Sequence, residues 1–222
     1  MQYELVRSQR RTLAITIDGS GRCVVRAPLR MPMAEINGFI AEKRGWIETK
    51  LREIELKKVL APGEPEFKDG AEIVLAGAKL RLHLVGGAVK GGGAINGGEL
   101  ICSFKAGRAG LVKFLRTLAR DVFISRANKY APLAGAAPLA VKVSEARARW
   151  GSCSAQKVLN FSWRLVFAPP ALIDYVVVHE LCHIGCMNHS PAFWRRVEAV
   201  MPDYKQRRQA LKQYGYLLKW YR

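Results

Sequence analysis

The sequence predicts an α+β protein, and three of its patterns lead there. Apolar residues alternate at period two through residues 3–8 and 11–18, as half-buried strands require. They recur at helical spacing through residues 33–58 and again through 110–131. Towards the C-terminus, a run opening at Pro169-Pro170 carries His179 and His183 four residues apart, on one face of a helix. The predicted arrangement is an N-terminal β-hairpin and helix region, residues 1–105, packed on a C-terminal half, residues 106–222, that holds the histidine helix.

In chain order, Leu13, Ile15 and Ile17 share one face of an early strand, Asp18-Gly19-Ser20-Gly21 makes a turn, and Arg22 to Ala27 returns as a strand ending at Pro28. Ile36, Ile40, Ile47, Leu51 and Ile54 predict one helix from Met33 to Lys58, with Trp46 as a core anchor. Ala61-Pro62-Gly63 with Pro65 marks a connection. Strands are expected over Glu72–Leu75 and Lys79–Leu84, turned at Ala76-Gly77, and His83 in the second is read as structural. Residues 86–98 hold seven glycines without the ending of a phosphate loop, and predict a long hairpin tip before a strand from Glu99 to Phe104. Leu111, Phe114, Leu115, Leu118, Val122 and Phe123 form the apolar side of a helix over 110–131.

The second half opens with a strand at Val141-Lys142-Val143. If it continues, Glu145, Arg147 and Arg149 share a face, either as a solvated ion-paired surface or as arginines that hold a substrate carboxylate or phosphate. Trp150 to Asn160 reads as a hairpin able to pair with a peptide, with Trp150 and Cys153 packed beneath the next helix. That helix starts at Pro169-Pro170, buries Ile173, Val176, Val177 and Leu181, and is expected to end at Gly185 in a left-handed cap. His189 stands before Ser190-Pro191, an N-cap and N1 pair that opens a helix to Val200, so a third imidazole comes from a fixed corner.

His179, His183 and His189 can ligate one metal ion and leave a fourth position open for water, while Glu180 can reach that water without ligating. Metal-assisted hydrolysis asks for this set. Structural zinc sites usually close with cysteine-rich sets of four ligands, in which Glu180 would have no task. Cys182 and Cys186 also stand four apart, but Cys182 is offset from the histidine face and reads as a buried free thiol. Glu198 reads as exposed or supporting, Met201 as lying under the site, and Tyr204 as a possible oxyanion donor. The last helix, from Tyr204 to Lys219, carries Lys205, Arg207, Arg208 and Lys212.

No run of 18 or more apolar residues exists, and the N-terminus lacks a signal-peptide pattern, so a soluble, cytoplasmic protein without membrane contact is expected. Five cysteines at no framework spacing fit reduced thiols. A net charge of +18 favours an anionic partner such as nucleic acid, ribosomes or acidic proteins.

The runs Arg149-Trp150-Gly151-Ser152-Cys153-Ser154, Asn160 to Pro169, Asp174 to His183 and Asn188 to Trp194 closely resemble the YgjP-like metallopeptidases, over residues 11–218. They are more distantly similar to the SprT-like proteases. The histidine spacing equals that of metzincins, but Cys186 occupies their glycine slot, with Gly185 one position early. The resemblance implies one continuous unit with a zincin-like second half, Zn2+ on His179, His183 and His189, and Glu180 as catalytic base. The expected function is therefore zinc-dependent hydrolysis of protein or peptide substrates. Three alternatives stay open: a nucleic-acid-associated basic protein with a structural or inactive zinc site, a protease acting on DNA-bound proteins, and a metal-dependent hydrolase of a non-peptide substrate.

Overall fold

The computed structural model describes residues 2–18, 20–60 and 63–221. Gly19 of the predicted turn and Ala61-Pro62 of the predicted connection lie outside the described residues. The architecture is mixed α+β, with six α-helices and three small sheets among the described residues, and the chain divides into two compact units at Pro62–Gly63. No described helix is long and apolar enough to cross a membrane.

The first unit holds β1 (Glu4–Ser8), β2 (Ala14–Ile17) and β3 (Cys23–Pro28) in the order β1-β3-β2. β2 and β3 form the antiparallel hairpin, and β1 runs parallel to β3. Where one helix was expected there are two, α1 (Met33–Glu42) and α2 (Arg44–Leu60), separated at Lys43, whose φ of −89° and ψ of 4° leave the helical basin. Val25, Ala27, Ile36, Ile40 and Ile47 make the core. Trp46 does not anchor it: the helical phase that turns Ile47 inward leaves Trp46 49% exposed.

In the second unit, β4 (Glu72–Leu75) and β5 (Ala78–Val85) form a hairpin turned at Ala76 and Gly77, with φ of 46° and 87°. Gly77 is required twice, because a Cβ there would also stand 2.7 Å from Cγ of Pro170. The hairpin tip thus packs on the first turn of the histidine helix, and the Ala76 N–H donates to the Val166 carbonyl at 2.6 Å. The glycine-rich stretch is not one long hairpin tip, since only its Gly97-Gly98 turns a hairpin. It contains β6 (Gly93–Asn96), antiparallel to β7 (Glu99–Ser103), which lies parallel to β5. Its glycines permit close approach to α3 (Gly107–Tyr130): a Cβ on Gly93 would stand 2.7 Å from the Phe114 ring, and one on Gly92 2.6 Å from the Gly110 carbonyl oxygen. α3 buries Leu111, Leu115, Ala119, Phe123 and Ala127.

The third sheet joins β8 (Ala140–Ser144), β9 (Gly151–Cys153) and β10 (Val158–Ser162) in the order β8-β10-β9, so β9 is an edge strand. β8 stops at Ser144, so Glu145, Arg147 and Arg149 do not continue it: Glu145 turns to Arg164 at 3.1 Å, while Arg149 lines a cleft beside Glu180. A 3-10 segment, Trp163–Phe167, leads to α4 (Pro170–His183), followed by α5 (Pro191–Val200) and α6 (Tyr204–Leu211). The last helix ends at Leu211, and residues 212–219 continue as 3-10 turns.

Candidate metal centre

α4 contains Ile173, Val176, Val177 and Val178, β-branched residues that are indifferent helix formers. Burial holds it instead: ten of its residues are buried, and Pro170 sets the first turn. One face presents His179 and His183. Gly185 does not cap the helix in the left-handed region. The Arg196 guanidinium lies over it, 2.5 Å from where a Cβ would stand. The chain turns through Cys186, whose carbonyl meets Nδ1 of His183 at 3.0 Å, which fixes the ring and leaves Nε2 free. Asn188 Oδ1 accepts from the Ser190 N–H at 3.2 Å and Ser190 Oγ from the Phe193 N–H at 3.5 Å, so the corner carrying His189 is tied to the start of α5.

These elements bring the three histidines together, with one nitrogen of each within 4.8 Å of the others. His179 Nε2 and His189 Nε2 stand 3.1 Å apart. Two imidazoles on one tetrahedral zinc, each bond about 2.0–2.1 Å, have nitrogens about 3.3 Å apart, so the donor set fits such an ion. Burial first, and then the neighbouring histidines and Arg208, push His179 down to about 3. Burial likewise lowers His183. Both rings are therefore neutral at pH 7, with lone pairs available to a metal. Phe193 stacks on His183 with centroids 4.4 Å apart, and Trp194 stacks on His189 at 5.6 Å, forming an apolar collar.

Glu180 is 6% exposed, and burial pushes its carboxyl up to about 7 against the opposing charge of Arg149. It lies against Gly151 of β9: a Cβ there would meet Glu180 Cγ and Oε1 at 2.7 Å. Glu180 and His179 line a cleft of about 270 Å3 together with Arg149, Tyr175 and Leu211. The sequence reading did not single out Tyr175, although it stands four residues before His179 and hence on the histidine face. Gly151 acquires its place only through the pairing of β9 with β10.

The remaining candidates lie apart from the histidines or behind them. Tyr204 stacks on Trp194 at 5.4 Å, so a ring separates it from the imidazoles, and Met201 is buried. Glu198 faces Lys205 at 3.7 Å. His83 faces Asp69 at 3.6 Å. Cys182 is a buried free thiol that burial pushes up to about 11. Trp150 and Cys153 pack against the core. Of the basic cluster, Arg207 binds Asp203 at 2.8 Å and the Ala171 carbonyl at 3.0 Å, and the Arg208 guanidinium lies 4.6 Å over Trp194.

No curated protein matches the sequence. Among solved structures, the crystal structure of the metallopeptidase zymogen of Pyrococcus abyssi abylysin is similar at 19% identity over 40% of this chain and 90% of that one, with a TM-score of 0.38. The family model described as YgjP-like, metallopeptidase domain, matches residues 11–214, so the chain belongs to the YgjP-like metallopeptidase family.

Proposed function

We propose that the protein is a zinc-dependent peptidase in which His179, His183 and His189 hold the metal and Glu180 is the general base, on a zincin-like second half. The observation that carries this reading is three imidazole nitrogens within 4.8 Å of one another beside a buried carboxylate one residue along the same helix. Zinc, when bound, supplies a Lewis acid that lowers the pKa of water and polarises a carbonyl oxygen. Glu180 takes the proton of the attacking water and passes it to the leaving amine as the peptide bond breaks. Gly151 lets the carboxylate sit against the backbone of β9, and the free edge of β9 is placed to pair with an extended peptide. Phe193 and Trp194 hold the imidazoles in place. The reading carries a cytoplasmic setting, with the basic surface open to nucleic acid and unfolded protein as substrate.

The test is to strip the full chain with a chelator, reload it with zinc, and follow metal content and cleavage of an unfolded protein, with and without DNA. About one zinc per chain is expected, with cleavage lost on stripping and regained on reloading. Stoichiometric zinc and tight DNA binding without cleavage of any protein would instead support the basic binding module. DNA-stimulated cleavage would favour a protease of DNA-bound proteins.

A Gly151→Ala chain should still bind zinc, yet lose up to about 100-fold in kcat, because the added Cβ pushes the Glu180 carboxylate off its position. Steady-state kinetics with metal analysis checks this. Unchanged kcat would show that the close contact with β9 does not position the base.

A further inference from the structure

The cleft beside Glu180 has an apolar depth and a positive mouth. Tyr175, Val176 and Leu211 are buried, and Gly151 adds no side chain. At the mouth Arg149 is exposed and, among the described residues, has no hydrogen-bond or ion-pair partner, while its charge reaches Glu180. From α6, Arg208 also lacks a carboxylate partner among the described residues, and its charge reaches both His179 and Tyr175. Among the described residues, Glu180 is the only acid lining the cleft. The other acids of residues 140–221 are committed elsewhere: Glu145 to Arg116 and Arg164, Asp174 to Arg126, Glu198 to Lys205, and Asp203 to Arg207.

Resting on the peptidase reading above, we infer that this cleft selects an acidic side chain, best glutamate, on the leaving-amine side of the scissile bond, and that Arg149 decides the selection. The side follows from Glu180. The group that hands a proton to the leaving amine must lie against the residue supplying that amine, and Glu180 is itself a wall of the cleft. A glutamate stem can lie along Val176 and Leu211, with its carboxylate on the planar fork of Arg149. A lysine would meet the Arg149 guanidinium at the mouth and, if it entered, would pair with Glu180 and remove the base.

The experiment uses a peptide cut at one mapped bond, in three versions with Glu, Gln or Lys directly after that bond. kcat and KM are measured on the zinc-loaded full chain, and binding of the same peptides to the zinc-loaded Glu180→Gln chain is measured by fluorescence anisotropy. The Glu peptide should show a KM about tenfold below that of the Gln peptide, with the Lys peptide worst, and a smaller effect on kcat. Arg149→Lys should keep the order and Arg149→Glu should reverse it, whereas a merely structural Arg149 would weaken all three alike. Cleavage with no charge preference, or an order that Arg149→Glu leaves unchanged, would overturn the inference while the peptidase reading stands. If no peptide can be cut, the three versions are compared by binding alone. A charge order that reverses with Arg149→Glu then keeps the selectivity and sinks the peptidase reading, and no charge order sinks both.

Discussion

A Glu180→Gln chain is expected to bind zinc as the wild type does and to lose about 10²–10⁴-fold or more in kcat. Glutamine keeps the shape of the side chain, so it can occupy the space against Gly151 where the carboxylate lies. What changes is the ability to take a proton, because an amide oxygen is a negligible base at neutral pH. The ligand nitrogens stay in place, since His183 is fixed by the Cys186 carbonyl and all three rings by Phe193. Metal analysis and single-turnover hydrolysis on the same preparation check both halves. Proteolysis at the wild-type rate in a pure Glu180→Gln preparation would remove Glu180 from the mechanism. Loss of zinc along with activity would show that the carboxylate supports the metal site rather than the chemistry.

The histidine cluster was legible in the sequence because its geometry is local: His179 and His183 share a face by helical period, and His189 follows within a short corner capped by Ser190. What the sequence hid is set by contacts between distant residues. A glycine after a helix signals a left-handed cap, whereas Gly185 stays out of that region and the exposed guanidinium of Arg196, eleven positions on, folds over it. The strand inside the glycine-rich stretch was masked because its residues answer to the Gly110–Phe114 surface of α3 rather than to strand propensity. Trp46 shows that size and aromaticity do not fix orientation when the adjacent Ile47 holds the inward phase. Gly151, Tyr175 and Arg149 were present in the motifs, but their meeting around Glu180 depends on where β9 pairs and where β8 stops.

The largest effect on stability is expected from Arg164→Met. Arg164 is fully buried, and its guanidinium donates to the carbonyls of Trp220 at 2.5 Å and Tyr221 at 3.0 Å and to Glu145 at 3.1 Å. It also lies 4.6 Å over the Trp163 ring. Methionine fills much of the volume but leaves two carbonyls unpaired and Glu145 with Trp163 and Arg116 alone. Breaking a buried pair of this kind costs about 3 kcal/mol, the low end of the range because Glu145 remains half in water. A Tm lower by about 6–12 °C follows for a domain of this size. Acid supplies an internal control. Burial alone would raise the Glu145 carboxyl, but the hydrogen bonds from Trp163 and Arg164 and the charges of Arg164 and Arg116 outweigh it and hold it below 4.5. Its contribution is therefore complete above about pH 4.5 and fades as pH falls through the lowered folded value. The gap between the two chains in thermal unfolding should accordingly be widest near neutral pH and narrow below pH 4.5. A gap that is constant with pH would assign the cost to the two carbonyls alone, and equal Tm values at pH 7 would show that Arg164 does not hold the end of the chain in place.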